Sequence, residues 1–361
     1  MQENLKKIME IPPYDLKAEE KRKMFETDFF ELTRFHYYNC KEYKNILDML
    51  SYDVTKKNIL ENMPMLPVRM FKEFELRSVP KEKIVKTMTS SGTSGQKVSK
   101  IFLDAQNTTL QTQVLSHIMS SYLGSKRVPM LILDTAMVRR DRSMFSARGA
   151  GIIGFSMFGR KPQYVLDEVM KLDIEGLKKY LSEHKGEKIL LFGYTYMIWK
   201  YVVSWLKKKN IHLDIEDGVL FHVGGWKKLQ NEAVDATSFN QEIKETMGNI
   251  RVYNYYGMAE QLGSIFVECE YGHMHCSNFS DIMIRRSRDF SVASPGEKGL
   301  IELFSLLPCS YPGHILLTED EGEILGEDDC PCGRQGKYFK IHGRIKQAEI
   351  RGCSDTFERK R

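Results

Sequence analysis

The chain has no apolar run that could cross a membrane unbroken. Its most lipophilic stretch, Ile189–Trp205, is interrupted by Gly193 and Lys200, so a buried strand followed by a buried helix is expected there. The opening residues, MQENLKKIMEIPPYDL, lack the apolar centre of a secretory signal, which predicts a cytoplasmic protein. Charge of one sign is scarce too. A formal net charge of +5 over 361 residues gives no reason to expect a nucleic-acid partner. Cysteine is sparse and odd in number, seven in all, which argues against a disulfide framework and for reduced thiols or metal ligands. No internal repeat or low-complexity segment stands out. What remains is ordinary material: 42% hydrophobic and 28% charged residues suit a globular protein with a sizeable core.

Four segments are expected in chain order. Residues 1–80 place Phe25, Phe29, Phe30 and Leu32 at helical spacing and read as a helical N-terminal region. Residues 81–262 alternate strand-like apolar runs, such as PMLILD at 129–134, with helical patterns, which predicts an α/β core with a largely parallel sheet. Residues 263–342 hold short β-like runs separated by Gly, Pro and acidic turns, and read as a small β subdomain. Residues 343–361 read as a hinge and a short tail.

The segment TSSGTSGQK, Thr89–Lys97, offers the hydroxyls of Ser90, Ser91, Thr93 and Ser94, while Gly92 and Gly95 allow the backbone to approach a ligand closely. Such a loop between strands can present several donors to polyphosphate oxygens. It lacks Walker A spacing, and by itself it reads equally well as a solvated turn. Its company changes that reading. Ser-Gly-Thr-Ser-Gly resembles the phosphate loop of the adenylate-forming superfamily of acyl-CoA synthetases. Tyr255-Tyr256-Gly257-Met258-Ala259-Glu260, Thr318-Glu319-Asp320 and Gly343-Arg344 resemble three later motifs of that superfamily, in its order. The resemblance implies ATP and Mg²⁺, with Tyr256 and Gly257 beside adenine and Glu260 holding the metal. Asp320 would then take the ribose hydroxyls, and Arg344 would reach the nucleotide. Gly224-Gly225-Trp226 resembles the adenine-side loop, with Gly225 as the contact. Without the resemblance, Glu260 is an ordinary acid after a turn, Asp320 belongs to a solvated acidic turn, and the glycine pair is a hairpin turn.

SSGTSGQ, YGMAEQ, PGHILLTEDEGEI and GRIKQAEIRGCSDT are more specifically similar to the acyl-protein synthetases of the bacterial luciferase fatty acid reductase system, from about residue 60 onward. Phenylacetate-CoA ligases are more distant cousins. The implied fold is the adenylate-forming N-terminal core, with mixed and parallel sheets flanked by helices, plus the small β subdomain. Two departures stand out. Lys97 and Val98 occupy the places where acyl-CoA synthetases have Pro-Lys, and 18 residues follow Gly343 where those enzymes carry a C-terminal domain of ~100 residues. That domain's catalytic lysine has no counterpart here, so the usual C-terminal domain is expected to be largely missing. Cys353 then becomes the candidate acyl acceptor, since in the resembling synthetases a cysteine near the C-terminus takes the acyl group. Arg351, Arg359, Lys360 and Arg361 would favour its thiolate. An inert tail thiol is the alternative.

Cysteine and histidine also recur in CEYGHMHC and Cys330-Pro331-Cys332-Gly333. The preferred set for Zn²⁺ is Cys269, His275, Cys330 and Cys332, with His273 and Cys276 as alternates. It resembles a structural zinc site of some phenylacetate-CoA ligase relatives, and small buried thiols are the competing reading. An acyl pocket is expected among residues 130–230, near Met144-Phe145, Phe155–Phe158 and Phe192–Trp199, although such aromatic and Met stripes more often form plain core than pocket lining. The reading that follows is a ligase forming an acyl-adenylate from a fatty acid and passing the acyl group to Cys353 for an acyl reductase partner. A phenylacetate-type CoA ligase and a non-catalytic nucleotide-binding protein are the alternatives.

Overall fold

Long apolar runs with few breaks suit strands covered on both faces, and residues 128–256 follow that rule. In the computed structural model, which describes residues 2–90, 97–140, 147–226 and 233–345, they form one of two compact units, Tyr122–Tyr256. Five parallel strands lie in the order Gly159–Leu166, Val128–Thr135, Ile189–Tyr194, Ile215–Val223 and Gly248–Tyr256. This is a doubly wound arrangement, in which strand order reverses beside the first strand. Helices Ala147–Ser156, Ile174–Glu183 and Ala236–Met247 alternate with the strands. Asp173 and Asp235 cap two of them, accepting the backbone N–H groups of Gly176 and Ser238 at 3.0 and 2.9 Å.

The core of this unit is aromatic. Phe155 stacks on Phe192 at 4.3 Å and packs against Phe221 and Tyr255 at 5.6 and 5.1 Å. Phe155 and Phe192, in stripes read as more often plain core than pocket lining, pack in the core. The helix after the Ile189–Tyr194 strand is wound as a π-helix over Ile198–Val203, a feature with no signature in the residue pattern. The Gly159–Leu166 strand was not expected either. Lys161 sits at φ +46° and Pro162 has no N–H, so the apolar alternation that marks a strand is broken.

The other unit joins the described residues up to Ser121 with those from Gly257 onward. Its compact body is therefore discontinuous in sequence, unlike the chain-order segments. Six antiparallel strands run in the order Ser280–Arg285, Gly299–Ser305, Ile315–Glu327, Lys337–Arg344, Met274–His275 and Phe266–Glu268. Leu66–Pro67 adds in parallel to Ile315–Glu327. Helix Ala18–Asn39 buries Phe25, Phe29, Leu32 and His36, one stripe at helical spacing, and Phe29 meets Phe304 of the sheet at 5.5 Å. A separate ribbon, Ile84–Thr89 with Lys100–Asp104, brackets the Ser/Gly loop. No described helix is long and apolar enough to cross a membrane.

Candidate functional site

Of the proposed phosphate loop, Ser90 is described, while Ser91, Gly92, Thr93, Ser94 and Gly95 lie outside the described residues, as does Cys353. The loop stem is fixed by a reciprocal pair. The Ser90 N–H donates to the Ser99 carbonyl at 3.2 Å, and the Ser99 N–H donates to Ser90 Oγ at 3.0 Å. Lys97, at the far end, reaches Glu73 at 2.5 Å.

Glu260 occupies a short 3₁₀ turn, Ala259–Gln261, and is 6% exposed. The Tyr311 hydroxyl donates to its carbonyl at 3.0 Å. Burial pushes the Glu260 carboxyl upward, while Ser99 and the charges of Lys72 and Arg344 pull it back. A carboxylate short of solvation, with cations around it, suits one Mg²⁺ ligand among phosphate oxygens.

Asp320 departs from the turn its acidic neighbours suggest. It lies within the Ile315–Glu327 strand, directly opposite Arg344 of the Lys337–Arg344 strand. The Arg344 Nε lies 3.6 Å from Asp320 Oδ1. Two motifs distant in sequence therefore meet across one strand pair. Thr318 anchors the approach, its hydroxyl donating to the Ile301 carbonyl at 2.8 Å and accepting from the Asp320 N–H at 3.1 Å. Gly343, read as a hinge, sits inside that last strand at φ +123°, a backbone state that disfavours a side chain.

In the parallel unit, Gly225 and Tyr256 lie at or just beyond the carboxyl ends of their strands, where ligands of doubly wound sheets bind. Gly224 takes φ +86°, and a Cβ placed on Gly225 would meet nothing within 4 Å. Tyr255 is buried in the aromatic core, and strand alternation points Tyr256 the other way. Two further features at these carboxyl ends had no sequence signal. The Thr195 hydroxyl lies 2.8 Å from Nδ1 of buried His222, and Asp134 forms a buried bidentate pair with Arg148.

The cysteine and histidine residues gather as the sequence reading preferred. Cys269, His275, Cys330 and Cys332 bring one ligand atom each to within 4.8 Å of all the others. Cys332 Sγ lies 3.3 Å from His275 Nε2, and Cys269 Sγ lies 3.9 Å from Cys330 Sγ. His273 stands at the rim with its Nδ1 3.3 Å from Cys330 Sγ, whereas Cys276 is buried outside the cluster. Burial pushes the Cys330 thiol up to about 12 and the Cys269 thiol upward, and it lowers His275 to about 3. Neutral imidazole is the metal-binding form, while thiolates in such a setting call for a cation. This donor set fits Zn²⁺.

A family model described as "Acyl-protein synthetase, LuxE" matches residues 2–361. One similar protein, the long-chain-fatty-acid–luciferin-component ligase of Aliivibrio fischeri, is 24% identical over 358 residues, covering 96% of this chain and 91% of that protein. A protein of the same description from Vibrio harveyi is 22% identical over 331 residues, covering 89% and 84%. Among solved structures, 2-hydroxyisobutyryl-CoA ligase in an open conformation, in complex with 2-HIB-AMP and CoA, aligns with a TM-score of 0.69 at 14% identity, over 92% of this chain and 72% of that one. The same ligase in the postadenylation state gives 0.70 at 15% identity, over 92% and 69%. These likenesses show the fold alone, which the chain shares with 2-hydroxyisobutyryl-CoA ligase.

Proposed function

Since the chain belongs to the acyl-protein synthetase (LuxE) family, we propose that it activates a long-chain fatty acid with ATP and carries the acyl group as a thioester on Cys353. The observation that carries this reading is the pairing of Asp320 with Arg344 in the unit that also holds buried Glu260. In the reaction, a carboxylate oxygen of the fatty acid attacks the α-phosphorus of ATP. Acyl-adenylate forms and pyrophosphate leaves with the electrons of the broken bond. The Cys353 thiolate then attacks the acyl carbon and releases AMP. Asp320 is suited to the ribose hydroxyls and Arg344 to the phosphate oxygens. Glu260 would hold Mg²⁺, which when bound neutralises charge along the triphosphate. The loop residues Ser90 to Gly95 would supply N–H and O–H donors, and the adenine contacts assigned to Gly225, Tyr256 and Gly257 belong to the same reading.

Cys269, His275, Cys330 and Cys332 would hold a structural Zn²⁺ with no part in the chemistry. A reducing cytoplasm suits these thiols and Cys353. An acyl reductase is the expected recipient, by analogy with the luciferase fatty acid reductase system that the chain resembles. The test uses labelled fatty acid and ATP with the full chain. Hydroxylamine-labile label should remain on the protein and vanish in Cys353→Ser, while carboxylate-dependent ATP–pyrophosphate exchange persists in that variant. Label retained in Cys353→Ser would sink the acceptor assignment. Absence of exchange with any carboxylic acid would sink adenylation itself.

A further inference from the structure

Several ties converge on the chain around the helical turn Met70–Glu73. Leu66–Pro67 pairs in parallel with Leu316–Leu317, and the Val68 N–H donates to the Leu317 carbonyl at 3.0 Å. The turn therefore begins alongside the strand that carries Thr318 to Asp320. Phe71 is buried with its ring edge-on to Tyr311 at 6.0 Å, and Tyr311 is the residue whose hydroxyl holds the Glu260 carbonyl. Met70 and Phe71 share one apolar cluster with Met88, just before the Ser/Gly loop, and with Met258 and Ala259, just before Glu260.

Charged neighbours extend these ties. Arg69 has helical backbone angles, so Arg69, Lys72 and Glu73, at spacings of three and four, share one face of the turn. Arg69 Nε binds Glu319 Oε1 at 3.0 Å, next to Asp320. Glu73 binds Lys97 at 2.5 Å, where the loop ends, and Glu75 lies 3.7 Å from Lys100. Lys72 thus stands between an anchor at the proposed ribose contact and an anchor at the proposed phosphate loop. Its positive charge, with that of Arg344, also acts on the Glu260 carboxyl.

We propose that Lys72 is a phosphate-binding residue of the adenylation step, its ammonium contacting ATP phosphate oxygens while Arg69, Phe71 and Glu73 hold its turn in place. This rests on the adenylation reading above. As the carboxylate oxygen bonds to the α-phosphorus, the bond from phosphorus to the α,β-bridging oxygen breaks. Negative charge grows on the departing pyrophosphate, and a fixed cation stabilises it more than it stabilises bound ATP. Lysine suits this role as a point charge that needs no fixed fork geometry.

Carboxylate-dependent ATP–pyrophosphate exchange by the full chain reads this step. Lys72→Ala and the similarly shaped Lys72→Met should each lower the exchange rate at saturating ATP by roughly 100-fold, with melting temperatures near that of the parent. Lys72→Arg should recover part of the rate, and added ethylamine should raise the rate of Lys72→Ala but not of the parent. An active parent with both neutral variants close to its rate overturns the assignment and leaves adenylation standing. A parent that exchanges with no acid overturns adenylation and this inference together. A loss relieved by neither arginine nor ethylamine, or one that tracks a lowered melting temperature in both neutral variants, shows a structural role and overturns the phosphate contact.

Discussion

The two units differ in how much charge and polarity they bury. In Tyr122–Tyr256 much of the interior is a set of packed rings, Phe155, Phe192, Phe221 and Tyr255, with the buried Asp134–Arg148 pair toward the carboxyl ends of the strands. In the other unit, ions and polar rings lie inside: Arg285 with Glu302, Lys337 with Asp281, and His36 stacked on His314 at 4.8 Å. A parallel sheet covered by helices can rely on apolar area alone. The antiparallel unit carries Glu260, Asp320, Arg344 and the four metal-type donors, and it holds them on a framework of buried polar bonds. Its stability should therefore answer to protons, metals and single charge deletions, whereas the parallel unit, with fewer buried polar groups, should answer mainly to volume.

The largest expected break in that contrast is at the cysteine knuckle. The protein should contain one zinc per chain by elemental analysis. Cys330→Ser should lose it and cost on the order of 5 kcal/mol, a part of the roughly 10–16 kcal/mol that structural zinc supplies to small domains. An unchanged melting temperature after chelation would remove the metal from this account. Next comes Phe155→Ala, which leaves a cavity beside Phe192 and should cost about 3–5 kcal/mol in denaturant unfolding, irrespective of pH. A cost below about 1 kcal/mol would mean that the ring stack is not a tight core.

Breaking the Arg285–Glu302 pair should come third. Arg285→Met alone should cost about 3 kcal/mol, because it leaves a buried acid without the cation that offsets its charge, whereas Arg285→Met with Glu302→Leu should be close to neutral. Burial pushes Glu302 up to about 7 even beside its arginine. Equal costs for the single and double variants would refute the stranded-charge explanation.

Acidification should have the smallest effect per group. His36 Nε2 lies 3.1 Å from the Pro308 carbonyl, which can only accept, so Nε2 carries the proton and Nδ1 takes the Ser78 hydroxyl at 2.7 Å. The ring is neutral, and burial lowers it from 6.5 to about 3, with His314 also well below its usual value. Around these rings stand Thr33, Tyr43 and Ser78, with no charged side chain hydrogen-bonded to either ring among the described residues. Between those two pH values the unfolded chain binds more protons than the folded one, so stability falls as pH drops below about 6.5. Moving from pH 7 to pH 5 should cost roughly 2 kcal/mol for each ring. Denaturant unfolding at the two pH values, with His36→Gln reducing the difference by roughly 2 kcal/mol, checks this. A flat wild-type profile would contradict it.

Much of this was readable from residue pattern, and the gaps have physical causes. Alternating runs such as PMLILD announce strands because their burial is local and repeated. The pair Cys269 and His275, joined by a short hairpin, met Cys330 and Cys332 as their chemistry suggested. Asp320 was misleading because acidic neighbours usually mean a turn, while here the chain continues as a strand whose partner, Arg344, is known only from the register. Gly159–Leu166 was hidden by Lys161 and Pro162. Lys72 gave no signal at all. Its significance comes from the companions that Arg69 and Glu73 reach, and those lie far along the chain.

That hidden strand has a consequence for life in a crowded cell. Among the described residues Gly159–Leu166 terminates its sheet, and a terminal strand is ordinarily an invitation for a neighbouring molecule to pair with it. Here the rim offers a proline that cannot donate, a lysine turned into a left-handed bend, and Arg160 tied to Glu187. The irregularity that concealed the strand from pattern reading is also what makes it a poor template for self-association.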